Sequence, residues 1–205
     1  AFNSPVDGTA AQTMGSLFIE VVIAPAFTDE ALQIFGKKKN LRVIRCPLLS
    51  VDDSKMELRS IDGGFLAQAL DLSDDESSAW TCPTERQPDA EERAALDFNW
   101  RVVRHVKSNA IVVGNRHQTV GIGAGQMSRV DSCNLAVSKA QITTAGCVAA
   151  SDAFFPFPDG LQVLAEAGVT AVIQPGGSKR DSEVVAAADE MGVAMLLTGS
   201  RHFRH

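Results

Sequence analysis

Continuous apolar runs alternate along this chain with stretches in which apolar residues recur every three or four positions. The continuous runs are typical of strands covered on both faces, and they occupy 18–24, 110–113, 147–151, 169–173 and 193–198. The stretches with helical spacing occupy 28–36, 89–106, 128–140, 161–167 and 181–191. A further strand is predicted at 41–46. Strands that alternate with helices predict a three-layer α/β architecture with a mixed, largely parallel sheet.

One domain is expected over 1–205, either undivided or in two lobes, 1–72 and 89–205. Between them lies an acidic stretch, 73–88, in which three carboxylates follow one another and two prolines stand near the end. Such a composition favours a surface connection over a regular element. The chain begins with Ala1 rather than Met, which we interpret as a processed or truncated boundary.

Three glycines, Gly121, Gly123 and Gly125, precede Ser128 and Arg129. Glycine lets the backbone turn tightly with its amides exposed, Ser128 is a good helix N-cap, and an arginine adds a positive charge. The stretch therefore predicts an anion site at a helix start. A tight strand-to-helix connection that binds nothing is an equal alternative. The loop 174–178 is a second candidate of the same kind.

The segment 152–160 contains two prolines, three phenylalanines and two carboxylates in nine residues. Proline excludes a regular helix or a central strand there, so the segment is predicted to be a rigid loop. The phenylalanines either close one edge of the core or form the wall of a ligand site. We favour the second, because loops that follow strands carry the sites of α/β folds.

Composition excludes several function classes. The net charge of −6 argues against nucleic-acid binding, and no apolar run is long enough to span a bilayer. With no signal peptide and four scattered cysteines, a cytoplasmic protein is predicted. The cysteines form no Cys-x-x-Cys pair, so no metal site is predicted. The motifs of zinc deaminases and of dinucleotide-binding dehydrogenases are missing or incomplete.

Several of these segments together resemble one family, the bifunctional purine-biosynthesis enzymes that join aminoimidazole carboxamide ribonucleotide (AICAR) transformylase to IMP cyclohydrolase. The resemblance covers nearly the whole chain, and its segments occur in the order of the family. They are 18–25, 37–41, 107–112, 121–129, 151–157, 174–178 and 201–205.

The resemblance implies a cytidine-deaminase-like fold and identifies the chain as the C-terminal part of a transformylase region. The family transfers a formyl group from 10-formyltetrahydrofolate, its co-substrate, to AICAR, usually as a homodimer. The positions that match its ribonucleotide contacts are Asn109, Arg129, Phe154 and Arg201. Asp159 matches a carboxylate that holds the pterin of the folate. Arginines suit phosphate or carboxamide oxygens, and a phenylalanine suits a flat imidazole.

The sequence departs from the family in one respect. The Lys-His pair of the family has no counterpart here, so the catalytic residues are unknown; His202 or His205 is a weak substitute. A second polypeptide or a complementary N-terminal transformylase segment is one source of the pair, and a homodimer is the other expected partner. The alternative function is a non-catalytic module that binds nucleotide or folate or mediates dimerisation.

Overall fold

The computed structural model describes residues 1–48, 56–72 and 77–204, and it divides into two compact units, Ala1–Leu70 and Asp71–His205. The acidic residues near the beginning of the predicted linker, Asp74, Asp75 and Glu76, lie outside the described residues. The described remainder of that stretch belongs to the second unit: Thr81 exchanges backbone hydrogen bonds with Leu197, and the amide of Met195 donates to the Thr84 hydroxyl at 3.0 Å.

The first unit contains a β-α-β motif and a hairpin. The strands β1 (Val21–Ala24) and β2 (Arg42–Arg45) are parallel, as predicted. The intervening helix begins after Thr28, whose hydroxyl accepts a hydrogen bond from the amide of Ala31. The strands β3 and β4 pair antiparallel around the turn at Asp62 and Gly63. Its elements are α1 (Gly8–Thr13), β1 (Val21–Ala24), α2 (Asp29–Phe35), β2 (Arg42–Arg45), β3 (Met56–Ile61) and β4 (Gly64–Ala69).

The second unit carries the main sheet. The helix α3 begins with a capping box, in which the Asp89 side chain accepts from the amide of Glu92 and the Glu92 side chain accepts from the amide of Asp89. The elements are α3 (Ala90–Val103), β5 (Ile111–Gly114), β6 (Thr119–Gly123), α4 (Arg129–Ser138), β7 (Val148–Ser151), α5 (Asp159–Glu166), β8 (Ala171–Gln174), α6 (Asp181–Glu190) and β9 (Ala194–Leu197).

The five strands of the second unit follow the order β6-β5-β7-β8-β9. The strand β5 is antiparallel to both of its neighbours, whereas β7, β8 and β9 are parallel to one another. Four of the strands described in this sheet therefore run in one direction and β5 runs in the other. This is the mixed, largely parallel α/β sheet that the sequence predicts.

Helices cover both faces of this sheet. Alternate residues of the strands pack on one face against α3, where Leu96 and Trp100 are buried, and on the other against α4, α5 and α6. The three layers explain why the strands are apolar throughout: β5, β7 and β8 are buried at every position. No helix in the described part of the chain combines the length and the apolar character that crossing a membrane requires.

Candidate functional site

One edge of the main sheet gathers the segments that contain the predicted site residues. The strands β6, β7, β8 and β9 end at this edge, and β5 begins there, because Ile111 pairs with both Gly123 and Ser151. Asn109, just before β5, thus lies beside the loops that follow the other strands. This is the edge where the sites of α/β folds are usually found.

A pocket of about 420 Å³ opens at this edge. All five residues predicted for substrate and cofactor binding line it: Asn109, Arg129, Phe154, Asp159 and Arg201. They come from four separate segments of the chain, so the fold brings together residues up to 92 positions apart in sequence, from Asn109 to Arg201. The other lining residues are Met127, Ser128, Val130, Ala153, Pro156, Phe157 and Phe203.

Arg129 lies at the base of the pocket and is bound mainly by the protein itself. Its Nη1 donates to the backbone oxygen of Ala110 at 2.9 Å and to the carboxylate of Asp152, and its Nη2 donates to Oδ1 of Asn109 at 2.9 Å. The side chain is 5% exposed. Its Nε is buried and has no hydrogen-bond partner among the described residues.

Asp152 was missed by the sequence analysis as a site residue. Its carboxylate is fully buried, and besides Arg129 it accepts from the Ser108 hydroxyl and from the amide of Ala110, the latter at 3.1 Å. The residue directly follows β7. A carboxylate immediately after a buried strand is the signal that would have identified it.

The Ser108–Asn109 segment is hydrogen-bonded to the neighbouring segments of the pocket edge. The Asn109 side-chain amide donates to the backbone oxygen of Gln126 at 3.0 Å, and the Ser132 hydroxyl on α4 donates to the backbone oxygen of Asn109 at 2.9 Å. Ser108 donates its amide to the oxygen of Arg204 at 2.8 Å and accepts the amide of Arg204 at 2.9 Å. The C-terminal segment is thereby fixed beside the pocket.

Partly exposed rings form the apolar side of the pocket. Phe154 is 38% exposed and Phe157 is 47% exposed, although most phenylalanine surface is buried in proteins. The Arg201 guanidinium lies 4.8 Å from the centre of the Phe203 ring. These rings offer flat apolar surface beside a cation, an arrangement that suits a planar ligand carrying an anionic group.

Asp159 begins α5, and its Oδ1 accepts the amide of Gly160 at 2.7 Å. Cys133 lies behind it in the core, where burial raises the pKa of the thiol to about 12; Asp159 adds to this increase and Arg129 opposes it. The thiol is therefore neutral at physiological pH and is no nucleophile.

The three glycines do not form the turn of exposed amides that the sequence predicts, although Ser128 and Arg129 of the same stretch line the pocket. Gly121 and Gly123 are strand residues of β6, and their lack of a side chain admits α4: a Cβ on Gly123 would lie 1.9 Å from the Ser132 oxygen. Only Gly125 of the three has a positive φ, 67°, and its amide donates to the oxygen of Lys107 at 2.7 Å. The connection from β6 to α4 is tight, and Ser128 is the predicted N-cap.

The second candidate loop is also filled from within. The Asp181 carboxylate accepts the amides of Gly177 and Ser178, at 2.6 and 3.2 Å. An internal carboxylate thus occupies the position that an external anion would need. The prediction of an anion site at 174–178 was wrong for this reason.

Histidines are absent from the described lining of the pocket. His202 is buried, with Nδ1 2.7 Å from the carboxylate of Asp71 and its ring 4.5 Å from that of Trp100. Burial, Arg104 and Arg204 hold the pKa of His105 below its usual value. His205 lies outside the described residues. The described residues contain no cluster of His, Cys, Asp and Glu that could hold a metal ion.

Comparison with known proteins places these features in context. Residues 1–139 match the family described as the AICARFT/IMPCHase bienzyme. The bifunctional purine biosynthesis protein PurH of Roseobacter denitrificans is 50% identical over 216 aligned residues, which cover 100% of this chain and 41% of that protein. The chain therefore spans about two fifths of the length of the curated relative that it matches.

Proposed function

The chain belongs to the AICARFT/IMPCHase bienzyme family, and from this premise we propose that it supplies part of an AICAR transformylase site. In this proposal the pocket helps to transfer a formyl group from 10-formyltetrahydrofolate to the amino group of AICAR, in the biosynthesis of IMP. The observation that carries the proposal is the convergence of Asn109, Arg129, Phe154, Asp159 and Arg201 on one pocket.

Each part of AICAR has a chemically suitable side chain in the lining of the pocket. Arg201 is exposed at the pocket rim and provides a cation for the phosphate. Phe154 offers a ring on which the imidazole stacks. Arg129 lines the pocket beside Asn109, and its positive charge is suited to an oxygen of the carboxamide or phosphate.

Asp159 is proposed to bind the folate. A carboxylate at a pocket rim accepts paired N–H donors, such as those of a pterin. The folate is a co-substrate that supplies the formyl group. The chain's own contribution is to orient this group toward the amine. The exposed rings on the apolar side of the pocket would keep water away from the reacting groups.

The transfer also needs a group that accepts the amine proton and a donor that stabilises the formyl oxygen. Among the described residues of the pocket, the titratable side chains are two arginines and Asp159, and none of these is assigned as the base. We propose that the Lys-His pair of the family comes from sequence outside this chain, in a longer protein or a separate N-terminal segment. A cytidine-deaminase-like fold and a cytoplasmic location stay predictions.

Calorimetry with AICAR tests the proposal on the 205-residue chain. The chain should bind AICAR, and Arg201→Ala should weaken binding by about tenfold or more, because a hydrogen bond to a charged group contributes about 1.5–3 kcal/mol. Arg116→Ala is the matched control, since Arg116 is an exposed arginine paired with Glu91 at the opposite edge of the sheet. If the chain bound neither AICAR nor a folate, the proposal would be refuted.

The pocket's lack of an assigned base favours one alternative, a non-catalytic module that binds nucleotide or folate. Mixing the chain with an N-terminal transformylase segment of the family distinguishes the two. Formyl transfer by the mixture supports the enzyme, whereas AICAR binding with no turnover in any combination supports the binding module.

A further inference from the structure

Three other segments of the pocket edge are hydrogen-bonded to one buried residue, Asp152, two of them through its carboxylate and one through its backbone oxygen. Asp152 accepts from Arg129 at the start of α4 and from Ser108 and Ala110 before β5. Its backbone oxygen accepts the amide of His202 at 2.9 Å, in the segment that carries Arg201. Its own loop carries Phe154. We propose that Asp152 is a positioning residue that sets the geometry of the ligand-binding groups without touching the ligand.

Burial and charge explain why one carboxylate has this effect. Asp152 is 0% exposed and does not line the pocket, so it acts through its neighbours. A buried guanidinium needs a compensating charge in good geometry. Because Asp152, Asn109 and the Ala110 oxygen take three donors of Arg129, the guanidinium plane is fixed and its unpartnered Nε is held in one orientation.

The alternative is that Asp152 only stabilises the fold. A structural role predicts that Asp152→Asn lowers the free energy of unfolding and leaves the affinity of the pocket for its ligand unchanged. A positioning role predicts that Asp152→Asn both weakens ligand binding and loosens the orientation of the Arg129 guanidinium, since buried supporting contacts hold a site to its productive geometry. The two roles therefore differ in what they predict for Arg129 itself.

The inference rests on the proposed function where it concerns AICAR, so the experiment has two readouts. Calorimetry with AICAR is run on the wild type, Asp152→Asn, Arg129→Met and the double variant. Asp152→Asn should weaken binding at least tenfold. In the Arg129→Met background the same change should alter affinity less than twofold, because its effect passes through Arg129.

The second readout is the NMR signal of the Arg129 Nε–H group, assigned by its loss in Arg129→Met. Asp152→Asn should shift this signal and speed rotation of the guanidinium. Glu92→Gln is the matched control: Glu92 is a buried carboxylate paired with Arg86 and it lines the cavity at the opposite edge of the sheet. Glu92→Gln should leave the Arg129 signal unshifted and the AICAR affinity within twofold of the wild type.

Ser108→Ala covers the case in which Asp152→Asn does not fold, because it removes one donor to Asp152 and keeps the ion pair. It should shift the Arg129 signal in the same direction by a smaller amount. An unchanged Arg129 signal in the folded variants overturns the positioning role, whether or not AICAR binds. Failure of the wild type to bind either AICAR or a folate, with the signal shifted as expected, instead refutes the proposed function alone.

Discussion

Replacing Gly123 by alanine should separate α4 from the sheet. The new Cβ would lie 1.9 Å from the Ser132 oxygen and 2.7 Å from the Ser132 carbonyl carbon, whereas real Cβ contacts below 3.0 Å are essentially never seen. The obstacle is helix backbone, which cannot rotate away as a side chain can. The helix must therefore retreat by about 1.1 Å, the difference between 3.0 and 1.9 Å.

The expected cost follows from overpacking. Forcing one extra carbon into a well-packed interior typically costs about 1–3 kcal/mol, and backbone obstacles lie at the upper end. We expect a loss of about 2–3 kcal/mol in the free energy of unfolding. At roughly 4 °C per kcal/mol for a unit of this size, Tm should fall by about 8–12 °C.

Thermal unfolding followed by circular dichroism measures this loss, and calorimetry with AICAR measures the effect on the pocket. Arg129 begins the displaced helix, and the Ser132 hydroxyl binds the oxygen of Asn109, so affinity should fall as well. Gly15→Ala is the control, because a Cβ there meets nothing within 4 Å. A Gly123→Ala protein with a Tm within about 2 °C of the wild type would refute the packing argument.

Three further predictions concern groups that do not line the pocket. Burial alone would raise the pKa of Glu92, but hydrogen bonds from Arg86, Thr170 and the Asp89 amide and the charge of Arg86 hold it below its usual value of 4.5. The free energy of unfolding should therefore decrease as pH falls below about 4.5, where the Glu92 carboxylate becomes protonated. Glu92→Gln should make the free energy of unfolding less dependent on pH in this range. Cys133 should resist alkylation of the native protein at pH 8, because its pKa is raised to about 12, and labelling faster than in denatured protein would contradict this. Asp181→Ala should lower Tm by about 4 °C, since two partly exposed loop amides lose their acceptor at about 0.5 kcal/mol each, whereas Asp181→Asn should lower it less.

Local signals in the sequence were enough for most elements. Thr28 and Ser128 cap the helices that follow them because a short hydroxyl side chain next to an apolar pattern satisfies the first amides. The convergence of the site residues was also predictable, since the carboxyl ends of parallel strands share an edge. The position of Asn109 is the exception, because hydrophobic periodicity does not reveal the direction of a strand.

Other features depend on contacts that no sequence window contains. The three-glycine stretch suggested exposed amides, but two of its members serve to admit α4, and the helix that needs this space begins several residues later. Asp181 fills its own loop, a local competition that glycine spacing does not show. The bond from Arg129 to Asp152 joins residues 23 positions apart, and only the packed sheet edge makes it visible.

The reversed direction of β5 has a practical consequence. Because β5 and β6 are joined at 115–118, on the side of the sheet far from Asn109 and Arg129, this exposed turn offers a place to attach a fluorophore or insert a short epitope. A reporter between Arg116 and His117 would move with the sheet while leaving the opposite rim open to solvent and to small molecules.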